Sequence, residues 1–349
     1  MTGWVYRYNY KKINFLRRII AKSNNSCLGA SKKEKRLSPI YFIWKRGAFG
    51  LNRFWCILVI EDLKQLTKVD LKNLDKILYP ELKVTKGQFI EYYIRMAPKM
   101  LPIIKDRPLV LTRYPDGIKG EKYGFFEKNA PLGTPEWVKT KTIYSSTSKR
   151  DVHYIICNDL DTLIWLANLA TLEIHMPFST INDMDKPDFL FFDVDPEPPA
   201  TLSDAAEVSL QLKDKVVDLG LTPFVKISGK KGLHVIIPIV PEHDFKETRA
   251  FVHEIGIDLA KENEIVVSEF KDTKKPGKVF ADYLQNSPMR TMVVPYSLRP
   301  TSEATVSAPL EWSEVKKCIN PSDFNIFNVV KRKEDPWKNI FEKRCKLEI

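Results

Sequence analysis

From Asp188 to Gln285 the chain reads strand, helix, strand, strand, helix, strand, and few folds accept that order. DFLFFDVDP (188–196) opens the series. Its four successive apolar residues, Phe189, Leu190, Phe191 and Phe192, mark a strand buried on both faces. Pro196, Pro198 and Pro199 forbid further ladder pairing and fix its end. Ser203 is the expected cap of the next helix, with Asp204 and Glu207 in the first turn and Gly220 past the last. FVKIS (224–228) and LHVIIPI (233–239) are β-rich runs joined by GKKG, a hairpin by composition. A helix over 245–262 and the strand KVFADYL (278–284) complete the unit. This is the split βαβ, ferredoxin- or RRM-like arrangement, an α+β fold with an antiparallel sheet and two helices on one face. The first strand is expected to pair with the third, and the last with the second.

A smaller α/β region precedes this core. Thr85 is placed to cap a helix in which Phe89, Tyr92, Tyr93 and Met96 recur at i, i+3, i+4, i+7. RPLVLTRYPDG (107–117) reads as a strand and a Pro-Asp-Gly turn, and GFFEKNAP (124–131) as a short strand. VHYIICN (152–158) is a strand. Asn158 is the expected cap of a helix running through TLIWLANLATLEI, with Leu160, Leu163, Ile164 and Ala167 on its buried side.

Charge is unevenly placed. The 349 residues carry a formal net charge of +11, and residues 1–66 alone hold 14 Lys and Arg against 3 Asp and Glu. The rest balances, 41 basic against 41 acidic, so any nucleic-acid contact there must come from local patches. Residues 1–66 read as a solvated, poorly ordered extension; a basic arm along a phosphate backbone is the alternative. Five scattered cysteines without a C-x-x-C pair fit a reducing cytoplasm and argue against a zinc or disulfide framework. The longest apolar run, FWCILVI (54–60), is too short to span a bilayer.

The chemistry concentrates in a few strings. Asp193 and Asp195 share one strand face, their Cα atoms about 6–7 Å apart, close enough to share a hard cation. An acidic turn would carry the same D-x-D. Asp282, at the end of the last strand, is a third carboxylate; three suffice for two divalent ions, or Asp282 merely closes a turn. SGKKGLH (228–234) joins Gly229 and Gly232 to Ser228, Lys231 and His234 in a loop suited to phosphate, although the Walker A spacing is absent. A solvated lysine hairpin with a core histidine is the plain alternative. Arg299, in VVPYSLRP, stands at a strand end where its fork suits phosphate or is an ordinary surface arginine, and His175, in LEIHMP, is similarly open. Lys76 and Lys86 flank a loop near the first helix and together suit an anion, helped by that helix's N-terminus. Phe125 and Phe126, followed by Lys128, form an aromatic-basic group able to stack bases; core packing is the alternative, and at least one of the two rings is expected in the core.

Taken in order, LDKILYP (74–80), TKGQFIEYY (85–93), RPLVLTRYPDG, FFEKNAP, TLIWLANLATLEIH, DFLFFDVDP, SGKKGLHVIIP, FADYLQN (280–286), VPYSLRP and APLEW (308–312) resemble the polymerase domain of the end-joining DNA ligase D family, within the archaeo-eukaryotic primase superfamily. The resemblance divides the chain into an extension (1–66), a primase-polymerase domain (67–335, catalytic core 188–300) and a tail (336–349). It implies a template-directed nucleotidyltransferase that fills or extends DNA ends during non-homologous end joining, using two ions of Mn²⁺ or Mg²⁺. By motif, Asp193, Asp195 and Asp282 would be catalytic metal ligands. Ser228, Lys231, His234, His175 and Arg299 would hold the incoming nucleoside triphosphate, with Gln285 nearby. Phe125 and Phe126 would stack bases, and Lys76 and Lys86 would take the 5′-phosphate of a DNA gap or end. No K-x-D-G ligase motif is present, so a separate DNA ligase and a Ku-like protein are the implied partners. The alternatives are an inactive DNA-end-binding scaffold and another D-x-D nucleotidyl- or glycosyltransferase.

Overall fold

The computed structural model describes residues 67–118, 124–145, 148–272, 275–315 and 319–349, and the expected extension over 1–66 lies outside them. The described residues divide into two units, 67–71 with Asp159–Asp161, and those of Lys72–Asn158 with Thr162–Ile349. In the first, the Lys68 N–H donates to Asp161 Oδ1 at 3.4 Å. The sheets and the candidate site belong to the second.

Strands β1 (Ile77–Tyr79) and β2 (Val84–Thr85) pair antiparallel and lead into helix α1 (Lys86–Ile104). Thr85 caps α1 as expected: its hydroxyl accepts the Gln88 N–H while Gln88 Oε1 accepts the Thr85 N–H. The stripe Phe89, Tyr92, Tyr93 and Met96 is buried. There follow β3 (Pro108–Arg113), β4 (Phe125–Glu127), β5 (Thr140–Ser145), β6 (Arg150–Ile156), α2 (Leu160–Asn168) and β7 (Thr171–Pro177). Next come β8 (Phe189–Pro196), α3 (Leu202–Asp218), β9 (Phe224–Ile227), β10 (Leu233–Pro238), α4 (Phe245–Glu262), β11 (Val266–Val267), β12 (Val279–Asp282), β13 (Thr291–Val293), β14 (Pro309–Leu310) and α5 (Trp312–Val315). Among the described residues, no helix is long and apolar enough to cross a membrane.

Two large sheets result, ordered β13-β7-β3-β6-β5 (with β4 on β3) and β11-β12-β8-β10-β9-β14. The second contains the expected β-α-β-β-α-β core, β8-α3-β9-β10-α4-β12, with every pair within it antiparallel. One pairing differs from expectation: the last strand, β12, lies beside the first, β8, not the second. Helix α3 places β9 parallel to β8 with a vacant lane between them, and the hairpin returns β10 into that lane. The only free flank of β8 is then the outer one, and α4 carries the chain there. Helices α3 and α4 pack on β8 and on each other. Phe189, Leu190, Phe191, Phe192 and Val194 of β8 are at most 1% exposed, each burial contributing about 1.5–3 kcal/mol.

Three local readings shift. The helix after β8 begins at Leu202, and Thr201, not Ser203, closes the capping box with Asp204. Asn158 does not cap α2; its amide accepts the Asp106 N–H at 2.8 Å and donates to Asp106 Oδ1 at 2.7 Å. Helix α2 also stops at Asn168, because Ala170 turns to φ 56° and the β-branched, alternating TLEIHMP continues as β7.

The start of β8 is anchored by charge. Asp188 Oδ2 accepts from Arg107 Nη2 at 2.7 Å and from Arg344 Nη2 at 3.2 Å, while the Arg107 guanidinium lies over the Phe189 ring. Near the same end Cys345 pairs with Ile239, and Trp337 is buried with its indole N–H on Val225 O.

Candidate active site

Asp193 and Asp282 are direct partners in the β8–β12 ladder, and Asp195 lies two residues along β8 on the same face. Asp193 keeps 24% side-chain exposure, yet its Oδ1 is sealed and has no hydrogen-bond partner. Burial first, then the Asp195 and Asp282 carboxylates, pushes the Asp193 carboxyl up to about 8. Burial also raises Asp282, although its Oδ1 accepts the Leu284 N–H at 2.7 Å and its Oδ2 the Gln285 amide at 3.3 Å. Asp195 Oδ2 is 3.4 Å from Lys231 Nζ. Among the described residues these carboxylates do not close into a cage of three or more ligands. Their chemistry nevertheless fits a hard cation: crowded oxygens, one of them buried and unpaired, lack positive charge at that point.

The opposite wall is cationic. β10 places His234 directly across from Asp193, with Nε2 3.4 Å from Oδ1. Gly232, one step beyond the Leu233–Val194 pair, has no room for a side chain: a Cβ there would strike Asp195 Oδ1 and lie 2.6 Å from Val194 O. The loop turns at Gly229, φ +79°, packed against Arg299 and Val306. Ser228 closes it by accepting the N–H groups of Lys230 and Gly232, so this hydroxyl is already partly occupied. Arg299 is buried and its Nε lies 3.1 Å from Glu173 Oε1; Lys230 Nζ is 3.6 Å from the same oxygen. His175 sits in β7 between Val110 of β3 and Val293 of β13. Burial, then Arg299, Lys226 and Lys230, drives its imidazole down to about 3. Burial, then Lys226, Arg299 and His175, holds His234 well below the usual histidine range.

Two further groups stand on other elements. Phe125 and Phe126, on β4, are 64% and 61% exposed, so neither packs into the core as one of them was expected to. They ride a three-residue strand held to β3, where Arg113 and Glu127 form a two-bonded ion pair. Lys76 and Lys86 do come together at the start of α1, where the Lys86 N–H donates to Lys76 O at 2.8 Å. Burial, then Lys76, lowers the Lys86 ammonium to about 8. The helix amides expected to help an anion are occupied: those of Lys86, Gly87 and Gln88 donate to Lys76 O, Leu74 O and Thr85 Oγ1. An anion there would rest on the two ammonium groups.

The family model described as LigD, primase-polymerase domain, matches residues 85–337. The chain belongs to the LigD primase-polymerase domain family. The span includes every candidate residue from Lys86 to Arg299 and leaves Lys76 outside. The bifunctional non-homologous end joining protein LigD of Bacillus subtilis is 34% identical over 267 residues, 76% of this chain and 42% of that protein. The multifunctional non-homologous end joining protein LigD of Mycolicibacterium smegmatis is 31% identical over 256 residues, 72% of this chain and 33% of that protein. The chain thus spans well under half the length of these LigD relatives. Among solved structures, the polymerase domain from Mycobacterium tuberculosis ligase D in complex with DNA matches at a TM-score of 0.72 and 29% identity, covering 80% of this chain and 100% of that one. The antiparallel α+β architecture is therefore that of the LigD polymerase domain.

Three residues of the site escape a reading of the sequence. Glu173, which holds Arg299, stands two positions before His175, and their shared strand face was the available signal. Lys226 sits on β9 in an alternation indistinguishable from an ordinary strand. Asn286 is buried, and its side chain accepts the Phe191 N–H at 2.9 Å and donates to Phe191 O at 2.7 Å, tying the loop after Asp282 to β8.

Proposed function

We propose that this chain is a template-directed nucleotidyltransferase that fills or extends DNA ends. The observation that carries this reading is the opposition of two walls across β8: Asp193, Asp195 and Asp282 on one side, and His234, Arg299, Lys230, Lys231 and His175 on the other. A nucleoside triphosphate is a polyanion that must be held while a hydroxyl attacks its α-phosphorus, and such a pair of walls suits both tasks.

Asp193, Asp195 and Asp282 would hold divalent cations, Mg²⁺ or Mn²⁺, which neutralise the pyrophosphate leaving group and acidify the primer 3′-hydroxyl. Arg299, with Glu173 fixing its orientation, grips the triphosphate, and Lys231 and the Ser228 loop add contacts. His234 and His175, kept neutral by burial, serve as hydrogen-bond donors and not as charges. Gln285 orients Asp282. Phe125 and Phe126 offer the template or primer a stacking surface, and Lys76 with Lys86 takes a 5′-phosphate across a gap. The LigD relatives are named for non-homologous end joining, and we assign this chain to the same repair process in the cytoplasm, beside a DNA ligase and a Ku-like end-binding protein.

The test is primer extension on a short gapped duplex, with and without the 5′-phosphate, using ATP or dATP with Mn²⁺ or Mg²⁺ and Asp193→Ala as control. Templated addition that the phosphate stimulates and the substitution abolishes supports the whole reading. Addition indifferent to the phosphate removes the role of Lys76 and Lys86. Tight DNA binding without addition would reduce the protein to a scaffold.

A further inference from the structure

Lys226 is the most costly residue near the site. It stands in β9 between β10 and β14, and it is 0% exposed. An amine so placed needs every hydrogen accounted for. Its Nζ lies 2.6 Å from His234 Nδ1 and 2.6 Å from Ser307 Oγ.

The hydrogens on this chain of contacts can be assigned. Ser307 donates its own proton to Ile227 O at 3.2 Å, so its oxygen accepts from Lys226. On the far side of the imidazole, Nε2 lies 3.4 Å from Asp193 Oδ1 without a hydrogen bond between them. With Lys226 donating to it, Nδ1 is the acceptor, and the ring proton belongs on Nε2. Even an uncharged amine has two hydrogens, enough for both His234 and Ser307.

We propose that Lys226 is a positioning residue that locks His234 in its Nε2–H tautomer, so that the imidazole presents a donor to the triphosphate. This rests on the nucleotidyltransferase reading above. Lys226 itself touches no substrate; it acts through the ring. Phe191, packed edge-on against His234 at 5.0 Å between ring centres, keeps the ring from turning over.

The chain has five histidines, so ¹⁵N-histidine labelling of the full chain gives a resolvable spectrum, with His234→Gln identifying the signal of interest. Long-range ¹H–¹⁵N correlation in the presence of Mg²⁺ and ATP should show His234 protonated on Nε2 alone. Lys226→Met, similar in length and without a donor, should release the Nδ1–H tautomer and weaken ATP binding about 10–100-fold, the range for losing a partner that orients a functional histidine. Lys226→Gln keeps an N–H donor without the charge, and it should restore the tautomer and most of the affinity. A wild-type His234 protonated on Nδ1 overturns the proposal with no variant needed, so misfolding of Lys226→Met cannot shelter it. A tautomer unmoved in folded Lys226→Met overturns it equally. Wild-type protein that fails to bind ATP with Mg²⁺ overturns the nucleotidyltransferase reading and the role of Lys226 with it; binding with an unchanged tautomer overturns the role of Lys226 alone.

Discussion

Asp282 faces Asp193 directly across the β12–β8 ladder, so the last strand of the core delivers its carboxylate to the middle of the first. The proximity has a measurable cost. Between the ordinary aspartate value of 3.8 and about 8, folded Asp193 keeps a proton that the unfolded chain has lost. Ionising it therefore opposes folding as pH rises through that window. In EDTA, Asp193→Asn is expected to raise stability near pH 8 by about 1–2 kcal/mol while abolishing nucleotide addition. The stabilisation of wild-type protein by Mg²⁺ or Mn²⁺ should grow from about pH 6 to about pH 8, because the ion displaces that proton. Scanning calorimetry across pH measures both, and an equal metal response in Asp193→Asn would place the ions elsewhere.

Lys86 titrates in the opposite sense. Its ammonium loses its proton at about 8 instead of 10.5, so an advantage given by a DNA 5′-phosphate should be complete at lower pH and fade above about 8. Charge-assisted contacts of about 1.5–3 kcal/mol correspond to roughly 10–100-fold in affinity. Fluorescence anisotropy with phosphorylated and unphosphorylated gapped duplexes reads the ratio directly. Lys86→Ala should lower the ratio below pH 8 and remove its fall above that pH, Lys76 being left.

Phe125 and Phe126 separate binding from stability. Both rings are mostly exposed, so replacing both by alanine should change unfolding free energy by no more than about 0.5 kcal/mol per site. Base stacking of about 1–3 kcal/mol per ring should nonetheless be lost from DNA affinity. A large drop in urea midpoint, with affinity intact, would make them packing residues after all.

Asn286 predicts the reverse pattern. Asn286→Ala leaves the buried Phe191 N–H and C=O without their side-chain partner, an expected loss of about 2–3 kcal/mol. Urea denaturation should show it whether or not Mg²⁺ is present, since the bonds do not involve the carboxylates.

What could be read in advance follows from how local each signal is. Thr85 with Gln88 and the GKKG turn are decided within five residues, and they fold as their sequences state. The strand 188–196 is equally legible, because four apolar residues and three prolines leave little choice. The partner of β12 is not legible in the sequence, because that choice depends on which lane the β9–β10 hairpin fills first, a matter of tertiary order. The end of helix α2 is hidden in the sequence because TLEI is apolar in either period, and the φ of Ala170 separates the two. Lys226 stayed hidden for a similar reason: β14 and Ser307, which bury it, come some eighty residues later.

The anchor at Asp188 has a consequence for how the chain is made. Arg107 lies 81 residues ahead of Asp188 and is already available when the carboxylate leaves the ribosome. Arg344 lies 156 residues behind it. At about 5–20 residues per second, roughly 8–30 s of translation separate the two contacts. Throughout that interval the Asp188 carboxylate has Arg107 to hold it, and its second clasp waits for a residue 156 positions further on.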